Sequence, residues 1–249
     1  MIFQDVKAKL LSLFAPQKLD GKMGVEWGFH NEADKEVRKI GYATNLTPET
    51  VSEAIKNNID LIITHHDAWF FVFGMKEQCL SLLEKHNIGH AFFHMPLDDA
   101  DFGTSSSLAN ALCLKNSYKA VPYEEIYHAG VIGELENPVA LEQFAENLSV
   151  ILDEPIKVFK NNNNPVCKIC VVTGAGNMTN DIKTAVDDNC DTYITGEYSL
   201  YSQQYSKYAG INLLVGSHTN TEVLGVLGLI NKLIENTDIE AVKLAEENY

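Results

Sequence analysis

The sequence predicts an α/β protein made of two similar, interlinked lobes. Short apolar strands alternate with amphipathic helical stretches along the whole chain, the order expected when helices pack against a sheet. The pattern starts again after Val121-Pro122, so we place the first lobe at residues 1–120 and the second at 121–249. A shared segment supports this division. Residues 54–64 and 185–195 both run from a helix end through an aspartate into an apolar strand that closes on threonine.

The first lobe opens with an amphipathic segment that we expect to dock as a helix. Thr47 has the residue type of an N-cap, Pro48 suits the first helical position and Glu49 supplies first-turn charge, so a helix should begin there. The elements expected in this lobe are helix 1–17, strand 37–46, helix 49–58, strand 59–66, helix 76–86, strand 89–94 and helix 106–114.

The second lobe repeats the alternation of strands and helices. The segment over residues 238–246 fits either a strand or a helix, and the sequence does not decide between them. The other elements expected are strand 127–135, helix 138–150, strand 156–160, strand 168–174, helix 178–188, strand 190–195, helix 199–210, strand 211–217 and helix 219–236. Cys167 and Cys170 lie three apart on one of these strands and should face opposite sides, which argues against a chelating or redox pair.

Composition and charge exclude several classes of function. Hydrophobic residues make up 45% of the 249-residue chain, enough for a packed core. No apolar run approaches the ~20 residues that span a bilayer, and the first residues lack a signal-peptide pattern, so we expect a cytoplasmic protein without a membrane partner. With 34 acidic against 19 basic residues and a net charge of −15, direct nucleic-acid binding is not expected. The acidity is compatible with attracting cations.

Histidines recur where expected strands end. His65 and His66 close one strand, and His94 and His218 follow two others. Glu197 occupies the position in the second half that is equivalent to His66 in the first. Ligands of open α/β sheets gather outside the carboxyl ends of the strands. We therefore treat these residues as candidates for a functional site, whereas His30, His86, His90 and His128 lack matching partners in the sequence.

Two of the histidines precede a carboxylate by four residues. His218 and Glu222 would share one face of a helical turn. Asp98 follows His94 at the same spacing. Adjacent side chains such as His65 and His66 diverge near a strand end, so each is better placed to hold its own ion than to chelate one together. Two-metal sites hold their ions ~3.5–4 Å apart, and Glu222 or Asp98 could bridge such a pair. A hydrogen-bonded strand edge without metal is the alternative.

Two further segments have open interpretations. Gly174-Ala175-Gly176 lies between a strand and a helix, where backbone amides could cradle an anion, although a plain turn explains it as well. The aromatic residues that follow the double histidine could line the metals, contact another subunit or pack in the core. These are Trp69, Phe70, Phe71 and Phe73.

The motifs ITHHD, HMPLD, ITGE and GSHTNTE occur in this order, and together they resemble the Nif-three-like dinuclear-metal family, whose members are named GTP cyclohydrolase 1 type 2 homologues. The resemblance covers nearly the whole chain. It implies two divalent ions (Zn, Fe, Mn or Ni) in a cleft between two α/β lobes, a homohexamer, and, here, no inserted middle domain. It places His66 and Asp98 on one ion, and His65 and His218 on the other. Glu222 would bridge the two ions.

The resemblance implies a metal-dependent hydrolase of the GTP cyclohydrolase type, acting on a nucleotide or another small phosphorylated molecule. His94 or Glu197 would move protons as catalytic groups. The alternative is a metal-binding or regulatory scaffold without enzymatic activity and without a small-molecule substrate. The chain departs from the family pattern at Asp67 and Ala68, where a proline and an aliphatic residue are usual. We expect that departure to affect substrate and rate more than metal binding.

Overall fold

The computed structural model describes residues 1–32 and 35–248. The chain forms two compact units, Met1–Ala100 with Val226–Glu247, and Asp101–Gly225. Both units combine a sheet with helices, which confirms the α/β class expected from the sequence. The expected lobe boundary, at residues 120 and 121, falls within the first strand of the second unit.

The elements follow the predicted alternation closely. Up to residue 100 they are α1 (Phe3–Ser12), α2 (Pro16–Leu19), β1 (Trp27–His30), β2 (Lys39–Asn45), α3 (Pro48–Lys56), β3 (Leu61–His66), α4 (Met75–His86), β4 (Gly89–Phe93) and α5 (Met95–Asp98). After it they are α6 (Thr104–Ala111), β5 (Lys115–Tyr123), β6 (Tyr127–Val139), α7 (Leu141–Leu152), β7 (Lys157–Phe159), β8 (Val166–Val172), α8 (Thr179–Asp187), β9 (Thr192–Thr195), α9 (Leu200–Ala209), β10 (Asn212–Val215), α10 (His218–Ile234) and β11 (Glu240–Lys243).

The first unit contains a five-stranded sheet in the order β1-β4-β3-β2-β11. Neighbouring strands from β4 to β11 are parallel, whereas β1 is antiparallel to β4. Strands β3 and β4 are buried along their whole length, as expected for parallel strands with both faces covered. Because β3 and β4 run in the same direction, their carboxyl ends bring His66 and His94 to the same edge of the sheet.

The second unit contains a six-stranded sheet in the order β5-β6-β8-β9-β10-β7, in which β8, β9 and β10 are mutually parallel. Each face of this sheet has its own apolar core. Val171 packs into the core under α6 and α7, whereas its neighbours Cys170 and Val172 pack into the core under α8. Cys170 is fully buried and Cys167 is partly exposed, as their spacing on a strand predicts.

The internal repeat seen in the sequence extends to hydrogen bonds. Asp60 accepts from the backbone N–H groups of Arg38 and Lys39 at 2.9 and 3.0 Å, where the neighbouring strand β2 begins. Asp191 accepts in the same way from Cys167 and Lys168, at 2.9 and 2.7 Å, at the start of β8. The strand–helix–strand order β2-α3-β3-α4-β4 thus recurs as β8-α8-β9-α9-β10, with an equivalent aspartate tying each pair of strands together.

The segments near the two ends of the sequence pack on the first unit. Helix α1 buries Phe3, Val6 and Leu10, which agrees with the docking helix expected there. Residues 240–243 form the edge strand β11, parallel to β2, which decides between the strand and helix that the sequence left open. Within the described ranges, no helix is both long enough and apolar enough to cross a bilayer.

Candidate metal centre

The candidate ligands of the first unit meet at the carboxyl edge of its sheet. His65 and His66 are the last residues of β3, and His94 follows β4 directly. The ring centroid of His94 lies 5.1 Å from that of His65 and 5.2 Å from that of His66. One nitrogen from each ring lies within 4.8 Å of the others, a spacing that suits metal ligands. His65 and His66 are buried, and His94 is partly exposed.

Asp98 brings a carboxylate to this group. It ends the short helix α5, whose first turn begins after His94, and its Oδ1 lies 3.3 Å from His65 Nε2. The resemblance implied that Asp98 shares an ion with His66, and that assignment stays a prediction.

The tautomers of these histidines follow from what their Nδ1 atoms face. His65 Nδ1 lies 2.9 Å from the backbone oxygen of Phe93, which can only accept, so Nδ1 carries the hydrogen and Nε2 the lone pair. His94 Nδ1 donates to Glu26 Oε2 at 2.7 Å, and this hydrogen bond lowers the pKa of Glu26. Both imidazoles therefore present Nε2, and metal-binding histidines are commonly held by such a partner on their other nitrogen.

In the second unit, the first turn of α10 supplies the other two expected ligands. Ser217 caps this helix by accepting from the backbone N–H of Asn220 at 3.1 Å. His218 and Glu222 lie on one face of the turn, with Nε2 and Oε1 3.2 Å apart. Glu222 is buried. The i, i+4 arrangement expected from the sequence is thus present.

Glu197 contacts the ring nitrogen of His218 that does not face Glu222. His218 Nδ1 donates to Glu197 Oε1 at 2.7 Å, and Glu197 Oε2 accepts from Asn177 Nδ2 at 3.3 Å. Burial disfavours a charged imidazole, but the carboxylates of Glu222 and Glu197 outweigh it and raise the pKa of His218 to about 9. Such an excess of negative charge around one imidazole favours a bound cation. This position makes Glu197 an orienting partner of His218, and its predicted catalytic role stays a prediction.

Gly174 allows these ligands to approach the backbone. Its φ is +60°, and a Cβ there would lie 1.9 Å from Glu222 Oε1 and 2.8 Å from His218 Nε2. Its N–H donates to Thr221 Oγ1 at 3.0 Å. The Gly174-Ala175-Gly176 turn therefore makes room for the candidate ligands, which the sequence did not indicate.

Asp67, where the chain departs from the family pattern, has two side-chain hydrogen-bond partners. Asp67 Oδ2 lies 3.0 Å from His30 Nε2 and 2.6 Å from Lys76 Nζ. Burial opposes its ionisation, but these hydrogen bonds hold the pKa of Asp67 below its usual range. The sequence showed no matching partner for His30, and the structure places Asp67 beside it. Together with His90, these two residues form another group with metal-ligand spacing.

The aromatic segment after the double histidine divides into two parts. Trp69 lies against His66, with ring centroids 4.7 Å apart, and stacks on Phe71 at 5.3 Å. Phe70, Phe71 and Phe73 are exposed, Phe73 almost completely, which removes core packing as their role.

Sequence reasoning missed the residues that support the histidines. Glu26 and Asn45 contact His94 and His66 directly, whereas Asn177 contacts Glu197 and Glu246 contacts Asn45. None lies in a motif with the histidine it serves, so no local signal could have identified them. The donor set itself, imidazole nitrogens with carboxylate oxygens, suits Zn, Fe, Mn or Ni.

Comparisons with known proteins point to one family. The model of the Duf34/NIF3 family (NGG1p interacting factor 3) matches residues 6–248. The GTP cyclohydrolase 1 type 2 homolog of Haemophilus influenzae is 28% identical over 81% of this chain and 82% of its own. The homolog of Archaeoglobus fulgidus is 27% identical over 87% of each chain.

Solved structures share the fold over the full length. Reduced HcgD from Methanocaldococcus jannaschii superposes with a TM-score of 0.82 at 22% identity, covering 99% of this chain and 98% of that one. Staphylococcus aureus protein SA1388 gives a TM-score of 0.81 at 22% identity, covering 100% and 98%. At this level of identity the likeness concerns the fold.

Proposed function

This chain belongs to the Duf34/NIF3 family, and from that premise we propose that it is a metal-dependent hydrolase holding two divalent ions. Relatives named GTP cyclohydrolase 1 type 2 homolog support a nucleotide or another small phosphorylated molecule as the substrate. The observation that carries the proposal is which ring nitrogen of each histidine faces a hydrogen-bond acceptor. His65, His66 and His218 each direct Nδ1 at an acceptor, which leaves Nε2 for a metal.

The proposed ligands are distributed over two ions. His65 and Asp98 would hold one ion, because of their 3.3 Å contact and in place of the pairing of Asp98 with His66 that the resemblance implies. His66 and His218 would hold the other ion, and Glu222 would serve both. A bound pair of divalent ions would lower the pKa of coordinated water toward neutrality and so supply a nucleophile at physiological pH.

Two residues of the chain would transfer protons and hold a ligand in its orientation. His94 has Nδ1 fixed on Glu26, so its Nε2 is the atom that takes up or returns a proton during hydrolysis. Glu197 holds His218 in one orientation. His94 is thus the proposed general base or acid, and Glu197 acts through its neighbour.

Turnover by metal-loaded protein tests the proposal. GTP, dinucleotides and simple phosphoesters would be assayed with the wild type, a His65→Ala/Glu222→Ala double variant and a His86→Ala control, whose histidine is exposed on α4. We expect turnover in the wild type and the control, and its loss in the double variant. Equal turnover in all three proteins would contradict the proposal.

A metal-binding or regulatory scaffold is the second candidate, and the exposed aromatic segment favours it. Phe70 is 79% exposed and Phe73 is 97% exposed, and apolar patches of this kind commonly mark interaction surfaces. Readily exchanged metal without turnover of any substrate would support this function over the hydrolase. A bound small molecule or phosphate retained through purification would count against it.

The assembly implied by the resemblance is a homohexamer. Native mass spectrometry would then give six times the mass of the 27.7 kDa chain. A monomeric mass at micromolar concentration would exclude the hexamer.

A further inference from the structure

The segment after β11 runs beside β2 and reaches the candidate metal centre of the first unit. Leu244 donates its backbone N–H to the oxygen of Tyr42 at 2.9 Å, which continues the parallel pairing beyond the strand. Its buried side chain packs against Gly41, where a Cβ would lie 2.9 Å from Leu244 Cδ1. Glu246 is thereby brought level with the end of β2.

The carboxylate of Glu246 is surrounded by hydrogen-bond donors. Its Oε1 accepts from the backbone N–H of Thr44 at 2.6 Å. Its Oε2 accepts from the backbone N–H of Asn45 at 3.0 Å and from the side-chain Nδ2 of Asn45 at 3.3 Å. An ionised carboxylate only accepts hydrogen bonds, which matches the three donors directed at this position.

Glu246 therefore fixes which way the Asn45 amide points. An asparagine amide has a donating end and an accepting end, and its orientation follows from its partners. Because Nδ2 is directed at Glu246, Oδ1 faces the paired strand, where it lies 2.9 Å from His66 Nδ1. An accepting oxygen there requires the hydrogen on His66 Nδ1 and leaves the lone pair on Nε2.

We infer that Glu246 is a positioning residue that sets the tautomer of His66 through the Asn45 amide, and so prepares a ligand for metal. The inference deepens the proposed function and rests on it for the role of His66. Outer partners of metal-binding histidines typically contribute about 10–100-fold to metal affinity. Glu246 contacts neither substrate nor His66, so its effect passes through one amide group.

Glu246→Gln is the informative substitution. Its remaining oxygen should stay with the closest donor, the Thr44 N–H at 2.6 Å, so its NH2 group faces Asn45 and favours rotation of the Asn45 side chain. Nδ2 of Asn45 would then face His66, whose Nδ1 would have to accept, and the hydrogen would move to Nε2. Asn45→Asp added to Glu246→Gln returns an accepting carboxylate to His66 and should restore the tautomer. Glu247→Gln, at an exposed neighbouring position, removes the same charge without these contacts.

Two measurements test the inference. Nitrogen-15 spectra of metal-free protein labelled at histidine report the His66 tautomer, identified by the signal lost in His66→Gln. We expect Nδ1–H in the wild type and Glu247→Gln, Nε2–H in Glu246→Gln, and Nδ1–H again in the double variant. Zn²⁺ titration against a competing chelator should give a dissociation constant about 10–100-fold weaker for one of two ions in Glu246→Gln, with recovery in the double variant.

The outcomes separate the inference from the proposed function. An unchanged His66 tautomer in Glu246→Gln overturns the inference, whether or not metal binds. A shifted tautomer in a protein that binds no Zn²⁺ overturns the proposed function and leaves the control of His66 by Glu246 in place. A weakened affinity that the double variant does not recover would indicate a purely structural role for Glu246, and would also overturn the inference.

Discussion

At the scale of single residues, Gly174 connects backbone geometry with the candidate ligands most directly. We predict that Gly174→Ala displaces Glu222, because the new Cβ would lie 1.9 Å from its Oε1. One bound ion or both should be lost, measured as metal per chain by elemental analysis. Gly210→Ala is the matched control. Its φ of +73° imposes a similar backbone cost, on the order of 1 kcal/mol, but no atom lies within 4 Å of its Cβ position. Equal metal content in both variants would contradict the prediction.

His90 should determine part of the acid sensitivity of the protein. It is fully buried, and its Nε2 lies 2.8 Å from Thr64 Oγ1, whose hydrogen goes to the oxygen of His66. Burial lowers the pKa of His90 to about 3, against about 6.5 in an unfolded chain. Between these values the unfolded chain binds a proton that the folded protein does not, so the free energy of unfolding falls as pH falls.

His90→Gln should therefore make the pH dependence shallower. The slope between pH 6 and pH 4 should decrease by up to about 1.4 kcal/mol per pH unit, measured by urea denaturation at several pH values. His86→Gln removes a histidine from an exposed position and should leave the slope unchanged. A slope that is identical in wild type and His90→Gln would show that the imidazole titrates normally in the folded protein.

At the scale of elements, the two equivalent aspartates should have equivalent effects. Asp60 and Asp191 each accept two backbone N–H groups at the start of a neighbouring parallel strand. We predict that Asp60→Asn and Asp191→Asn each lower the free energy of unfolding by about 1–3 kcal/mol, since both N–H groups then meet a neutral amide oxygen in place of a charged carboxylate oxygen. Asp238→Asn, at an exposed position, should change it by less than about 0.5 kcal/mol. An effect confined to one of the two aspartates would mean that the structural repeat is not matched by equal contributions to stability.

The sequence predicted the elements best where they are buried, because buried elements leave a continuous or a periodic apolar pattern. Strands β3 and β4 and helix α3 follow from their apolar patterns and from the Thr47 cap, which the structure contains as a capping box. Strand β5 was not predicted, because most of its residues are exposed and it contains Pro122. Strand β1 was not predicted either, since its four residues are too few to establish alternation. Edge strands carry little of the signal on which such predictions depend.

At the scale of the whole molecule, the candidate ligands could be proposed from the sequence, whereas the residues that hydrogen-bond to them could not. The histidines lie where parallel strands end, a rule that applies to a sequence without coordinates. Glu26 and Glu246 are two of 34 acidic residues, and each lies far in sequence from the histidine it serves. Only the packing of β2 against β11, and of β1 against β4, brings them to the site.

Metal binding should stabilise the whole protein, because a ligand that binds the folded state alone shifts the unfolding equilibrium. At a free Zn²⁺ concentration of about 100 times the dissociation constant, the gain is about 2.7 kcal/mol. For a chain of this size that corresponds to a Tm rise of roughly 5–11 °C, measured by differential scanning calorimetry with and without chelator.

The rise in Tm should disappear in His65→Ala/Glu222→Ala. It should persist in His30→Gln, because Lys76 already neutralises the group formed by His30, Asp67 and His90. A rise that disappears in His30→Gln and persists in the double variant would place the stabilising ion in that other group.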